Sequence, residues 1–424
     1  MSRNHQADGG APAVSREWAV KAVGAQGDGL AEGPVFIPLT LPGERVLASL
    51  QGDRAELERV IEASPDRVEP PCPHFGDCGG CALQHWAPQP YLAWKGEQVR
   101  LALAREGLET EILSAFAVQP GERRRVALHA RRDGGRVRLG FKARRSWRLV
   151  EIDPCPVAAP ALVAALPALA RLAGPFFEHA KSAPTLHVTL TETGLDIDVT
   201  GVERRKGGGL SADGLMRAAE AAQAANFARV TLAGEIVYQA RAPQVRMGPA
   251  VVALPPGSFL QAAAGAEAAM ADFALEAIGG AARVADLFCG VGAFTFRLAA
   301  RASVFAADSA APAVRALLAA QGTATGLKAV TAEARDLTRR PLLAAEMKKL
   351  DAVLFDPPRA GALEQAHEIA RSSVPLAVGV SCNPVTFARD ARILADAGFR
   401  LTRVKPVDQF LWSPHVELVG VFER

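Results

Sequence analysis

Cys382 stands in Ser381-Cys382-Asn383-Pro384, directly after an apolar run from Leu376 to Val380. A cysteine at the carboxyl end of a buried strand is placed to act as a nucleophile. Glu417, in His415-Val416-Glu417-Leu418, is a candidate base near the C-terminus. A thiol and a base together suit methyl transfer to a pyrimidine carbon. Carbon 5 of uracil is a poor nucleophile toward a methyl sulfonium, but addition of a thiolate at carbon 6 makes it enolate-like. A base must then remove the carbon-5 proton so that the thiolate leaves, so the scheme needs one cysteine with one base beside it. Pro384 at a helix start leaves free N–H groups, which would lower the Cys382 pKa. Taken singly, such a cysteine is more often a small buried residue. The neighbouring motifs shift that weighting.

Asp286-Leu287-Phe288-Cys289-Gly290-Val291-Gly292 reads as a strand running into a glycine loop and then a helix. Glycines let the backbone approach a ligand, and Asp308 at the next strand end suits ribose hydroxyls. The loop lacks a full Gly-x-Gly-x-x-Gly and any Lys-Ser/Thr. That argues against a dinucleotide or triphosphate and for S-adenosylmethionine, which has no phosphate. Asp356-Pro357-Pro358-Arg359-Ala360-Gly361 is a second strand-end motif. Its prolines fix an extended turn that holds the Asp356 carboxylate toward a planar polar ligand.

Cys72, Cys78 and Cys81 lie in a Gly-rich segment, and Cys155 is remote in Asp153-Pro154-Cys155-Pro156. Four such thiolates can close around a cluster. Structural zinc sites usually pair two Cys-x2-Cys knuckles, and only one is present, so a structural [4Fe-4S] cluster is favoured over zinc. Between Arg123 and Arg148 the chain carries Arg123, Arg124, Arg125, Arg131, Arg132, Arg136, Arg138, Lys142, Arg144, Arg145 and Arg148 against one acid, Asp133. Phe141 and Trp147 are interleaved. Strand alternation would gather many of these cations on one face suited to phosphates. Glu203 to Gly209 reads as a second basic loop.

The elements that must position these residues follow from periodicity. Trp18 to Val68 alternates short apolar runs with Gly and Pro turns, the pattern of a small β-barrel. Leu92 to Gly107 reads as a helix, and Glu122 to Val252 as strand-rich with a Gly134-Gly135 hairpin. From Val284 onward strand and helix alternate, which predicts a doubly wound α/β domain closed by an antiparallel pair, Leu401 to Val407 and Val416 to Phe422. The expected division is a mobile tail over 1–15, a barrel over 16–68, a cluster-bearing central RNA-binding domain over 69–250 and a catalytic domain over 251–424.

The chain has 424 residues, 49% hydrophobic and 22% charged, which excludes a disordered chain. Its net charge of +3 does not by itself imply a polyanion partner. Six cysteines are too few for a disulfide scaffold of this size. The run from Pro156 to Ala170 is broken by prolines and too short to span a bilayer. The expectation is a cytoplasmic monomer without membrane contact.

The segments Cys72 to His85, Asp356 to Gly361, Ser381 to Asp390 and His415 to Glu417 together resemble the uridine-5 RNA methyltransferase family, in its iron–sulfur branch acting on 23S ribosomal RNA. The resemblance implies a Rossmann-like methyltransferase domain, a TRAM/OB-like N-terminal barrel, Cys382 as nucleophile and Glu417 as base. It places methyl-donor contacts on Gln261, Phe288, Asp308, Asp336 and Asp356. The chain departs from the family at Ala263 and Ala293, where Asn is frequent, and at Asp308, where Glu is usual. Two other readings are the same chemistry on transfer RNA and a non-catalytic RNA-binding or assembly factor.

Overall fold

The computed structural model describes residues 14–203 and 210–424, in two compact units. The first thirteen residues of the expected tail lie outside the described residues, as does the second basic loop beyond Glu203. Of the described residues, the first unit holds 14–91 and 412–414, and the second the remainder.

In the first unit, strands Val14–Val23, Gly29–Ala31, Val35–Ile37, Arg45–Gln51 and Arg54–Glu62 close into a barrel. Alternate residues fill it: Trp18, Val20, Val35, Ile37, Val46 and Ala48 are buried against one another. Gly29 is required here, because a Cβ would fall 1.9 Å from Thr40 Oγ1.

The second unit contains two sheets. A seven-stranded sheet runs Leu149–Glu151, Arg136–Lys142, Arg125–Asp133, Thr185–Thr191, Gly194–Thr200, Arg229–Leu232, Glu235–Gln239. The hairpin at Gly134-Gly135 forms as expected, with Gly134 at φ 59°. One face carries Val126, Leu128, Leu186, Val188, Ile197 and Val199 into a core shared with helices Leu166–Ala173 and Ala212–Ala224. Thus the Pro-broken apolar run forms short helices that cover this sheet. The other face is polar. Arg131 pairs with Arg138 and His129 with both Gly140 and Thr185, so these side chains project from that outer face.

The larger sheet runs Val330–Ala334, Ser303–Asp308, Arg283–Leu287, Ala352–Phe355, Leu376–Ser381, Glu417–Glu423, Arg400–Asp408, Glu111–Ile112. The first five strands are parallel and end on the same edge, and Glu417–Glu423 enters antiparallel beside Leu376–Ser381. This is the doubly wound arrangement expected, with the antiparallel pair closing it. Near-continuous apolar runs such as Ala352–Phe355 are buried on both faces. Helix Pro88–Arg105 adds Val99, Ala102 and Leu103 to the core of this sheet.

Candidate active site

The parallel strands deliver their carboxyl ends to one cavity of about 690 Å³. Gln261, Phe288, Asp308, Asp336, Asp356, Cys382 and Glu417 all line it.

The glycine loop leaves strand Arg283–Leu287 through Phe288, at φ 64°, and Gly290, at φ 54°. Asp308 braces it: Gly290 N–H donates to one carboxylate oxygen (2.9 Å) and Ala310 N–H to the other (2.7 Å). The helix that follows is Thr295–Ala299. Beneath the loop, burial pushes the Asp286 carboxyl up to about 7, although Thr295 Oγ1 donates to it at 2.5 Å. Its other oxygen is buried without a hydrogen-bond partner. Cys289 is buried, and that burial raises its thiol well above the usual value, so it is not an available nucleophile.

Cys382 lies just past strand Leu376–Ser381, before helix Pro384–Asp396. Asn383 caps that helix through Oδ1, which accepts Val385 N–H (3.1 Å). Asn383 Nδ2 and Thr386 Oγ1 both donate to Arg359 O (3.2 Å each), pinning the Asp356–Arg359 turn to the cysteine turn. The antiparallel register pairs Ser381 with Leu418. Cys382 and Glu417, the next residues on each strand, both line the cavity.

The expected lowering of the Cys382 pKa is overturned. Burial first, then the charges of Glu417 and Asp356, push the thiol up to about 11, against a smaller lowering from a backbone hydrogen bond and Arg359. Burial likewise pushes Glu417 up to about 7, opposed by a hydrogen bond from Gln409. Asp356 is held well above the usual carboxylate range by burial and by the charges of Glu417 and Asp286.

Gln409 escaped the sequence reading, although it ties the site together. Its Nε2 donates to Glu417 Oε1 (2.8 Å) and Gln261 Oε1 (2.7 Å). Its own oxygen accepts Ala262 N–H (2.8 Å), and Gln261 Nε2 donates onward to Asp356 Oδ2 (3.2 Å). The available signal was a polar Asp408-Gln409 pair ending the apolar strand Arg400–Asp408. Asp408 is itself fully buried against Lys95 of the long helix, with Lys95 Nζ 3.0 Å from its Oδ1 and also donating to His415 O. Burial holds the Lys95 ammonium below its usual value, and the Asp408 charge opposes that shift. This pair fixes both ends of the segment between the last two strands.

Part of the basic strip serves the site structurally. Arg124 N–H donates to Ala262 O (2.9 Å), and its guanidinium reaches Gln261 O (3.1 Å) and Glu267 (2.7 Å). Arg125 reaches Leu260 O (2.5 Å); burial and the neighbouring Arg124 and Arg123 lower it to about 10. Arg136 meets Glu151 at 2.5 Å, and Arg138 meets Asp133 and Glu151 at 3.1 and 3.6 Å. The expected phosphate-binding face is therefore divided, because Glu151 on the neighbouring strand meets both Arg136 and Arg138.

Asp308 and Asp336, at successive strand ends, face an otherwise largely apolar lining. That donor set fits a nucleoside without phosphates, as S-adenosylmethionine requires. Among the described residues, no three His, Cys, Asp or Glu side chains are grouped to hold a metal ion. Cys72, Cys78 and Cys81 belong to the first unit and Cys155 to the second. Cys78 Sγ accepts Gly80 N–H at 3.4 Å, and Cys155 packs against the core of the central sheet. Among the described residues no helix is long and apolar enough to cross a membrane.

The family model described as tRNA (uracil-5-)-methyltransferase matches residues 244–424. A Caulobacter vibrioides protein described as an uncharacterized RNA methyltransferase is 65% identical over 96% of this chain and 100% of its own length. The 23S rRNA (uracil(1939)-C(5))-methyltransferase RlmD of Halomonas elongata is 35% identical over 96% of this chain and 89% of its own. The fold is shared with the Pyrococcus abyssi tRNA (uracil-54, C5)-methyltransferase crystallised with S-adenosyl-L-homocysteine, at TM-score 0.71 and 22% identity, over 96% of this chain and 99% of that one. The chain belongs to the RNA (uracil-5-)-methyltransferase family.

Proposed function

We propose that this methyltransferase works through a covalent Cys382–uracil intermediate and that its substrate is 23S ribosomal RNA. The observation that supports the mechanism is that Cys382, Glu417 and Asp356 line one cavity at the ends of neighbouring strands. Bound S-adenosylmethionine supplies an electrophilic methyl on a sulfonium. Gln261, Phe288, Asp308, Asp336 and Asp356 would hold that donor. The target base is flipped out of its RNA context into the cavity. The Cys382 proton is lost to solvent as Sγ bonds to carbon 6, and a value near 11 makes this the unfavourable part of the attack in the substrate-free site. Carbon 5 then takes the methyl. Glu417, poised near 7, removes the carbon-5 proton, the Sγ–C6 bond breaks, and the thiolate is restored.

RNA carrying 5-fluorouridine should trap a gel-stable adduct, because no proton can leave carbon 5. Glu417→Gln should accumulate adduct on natural RNA. Full turnover by that variant without adduct would move the base elsewhere, to Asp356 first.

The ribosomal target is supported by the Halomonas relative and the outward arginines of the central sheet. The comparison that tests it is methylation of protein-free 23S fragments against unmodified tRNA transcripts; preference for tRNA would sink it. The same reading keeps a structural [4Fe-4S] cluster on Cys72, Cys78, Cys81 and Cys155. The thiolate set fits such a cluster by chemistry, and the steps above use none of these four cysteines. Anaerobic protein should contain iron and sulfide, and zinc in their place would refute the cluster.

A further inference from the structure

The outer face of the central sheet holds a second cavity, of about 470 Å³, that shares no lining residue with the catalytic one. His129 and Thr185 lie side by side on its floor, with Nδ1 and Oγ1 3.0 Å apart. Arg131 and Lys142 supply cations on this face and Trp147 a ring, while Arg132 and Phe177 line the cavity's edge from the helix-covered side. Trp147 is 76% exposed, unusual for an indole. Lys142 Nζ lies 3.7 Å from its centroid on one face, and that exposure leaves the opposite face open.

The cations are positioned by carbonyls. Arg131 Nη2 donates to Trp147 O (2.9 Å), and Arg132 Nη2 donates to Gly174 O (2.7 Å) while its guanidinium lies 5.1 Å from the Phe177 centroid. Asp133, the acid on the lining, stands 3.1 Å from Arg138. Fixed cations around an open ring have the chemistry that holds a nucleotide: a face for the base and charge for its phosphate. Burial and then the charges of Lys142, His187 and Arg131 lower His129, the response of a site that disfavours further positive charge.

We propose that this cavity binds one unstacked nucleotide of the RNA substrate, its base on Trp147 and its phosphate against Arg131 and Lys142. The site rests on the assignment of RNA as substrate and adds an anchorage separate from the flipped uridine.

The test uses the full chain without methyl donor. Its probes are a fluorescent single-stranded RNA of about 12 nucleotides and an abasic oligomer of equal length. Trp147→Ala should weaken the base-bearing probe roughly tenfold and leave the abasic one unchanged. Trp147→Phe should restore most of the loss. Lys142→Ala should weaken both probes and lower the salt slope by about one. Equal affinity of wild type and Trp147→Ala for the base-bearing probe overturns the site, and so does a wild type that binds both probes alike. Because binding is read without methyl transfer, a wild type that binds but does not methylate breaks the catalytic reading and leaves this site standing.

Discussion

The catalytic cavity gathers Asp356, Glu417 and Cys382, with Asp286 buried beneath its glycine loop, and burial pushes each toward its neutral, protonated form. The outer face of the central sheet gathers arginines instead, and there carboxylates from the same sheet, Asp133 and Glu151, stand beside several of them. Charge inside the cavity is governed by desolvation, and charge on the sheet by pairing. A residue count along the chain reports neither. The cavity's acids are fewer in charge at neutral pH than their number suggests, and the strip divides into structural cations, paired cations and the group around Trp147.

The comparison breaks first at the thiol. Cys382→Ala should reduce methyl transfer by on the order of a thousandfold or more, with little change in melting temperature, since the half-buried side chain loses one atom. Transfer of labelled methyl to RNA would show this; substantial residual turnover would remove Cys382 from the mechanism.

Gln409→Met should follow, with a loss of roughly 10- to 100-fold in kcat/KM and about 1–3 kcal/mol of stability, because Ala262 N–H and Gln261 lose a buried partner. Gln409 lowers the Glu417 value, so its removal should move the acid limb of the pH profile upward. An unmoved limb would leave Gln409 a purely structural residue.

Glu417→Gln tests the electrostatics through stability. Wild-type Glu417 is raised from 4.5 to about 7. Below 4.5 it is protonated folded or unfolded and carries no penalty. As pH rises through 7, ionisation in the buried site destabilises the fold by up to about 3 kcal/mol. The variant escapes this, so its advantage in thermal melts should grow from pH 5 to pH 8.5. A difference that stays constant over that range would contradict the burial argument.

The smallest effect belongs to the sheet. Glu151→Gln removes the carboxylate that meets Arg136 and Arg138 and should tighten RNA binding about twofold, with under about 1 kcal/mol of stability changed. Unaltered salt dependence of binding would mean that these arginines face no RNA.

Much of the scaffold was legible because burial writes a local pattern. Ala352–Phe355 is an unbroken apolar run, and it forms a central strand of the larger sheet. The convergence of Asp356 and Cys382 followed from their places at strand ends, and that of Glu417 from the family resemblance. The direction of the Cys382 shift did not, because helix-terminal N–H groups are local whereas the burial and the charges of Glu417 and Asp356 come from distant chain segments. Gln409 was equally hidden, since its partners Gln261 and Ala262 lie far away in sequence. The helices over the central sheet were missed because Pro160 and Pro167 read as breakers, although each stands in the first turn of a helix, where proline is tolerated.

The buried Lys95–Asp408 pair has a consequence for how this sequence can vary. Replacing either partner alone strands an uncompensated charge, at a cost of about 3–5 kcal/mol, a large share of the 5–15 kcal/mol that usually separates folded from unfolded chains. Replacing both by apolar residues of similar volume can be nearly neutral. Drift from one state to the other must therefore cross a valley or change both positions together. Among variants that still fold, Lys95 and Asp408 should be inherited as a unit, and a library that randomises only one of them should return the parent residue.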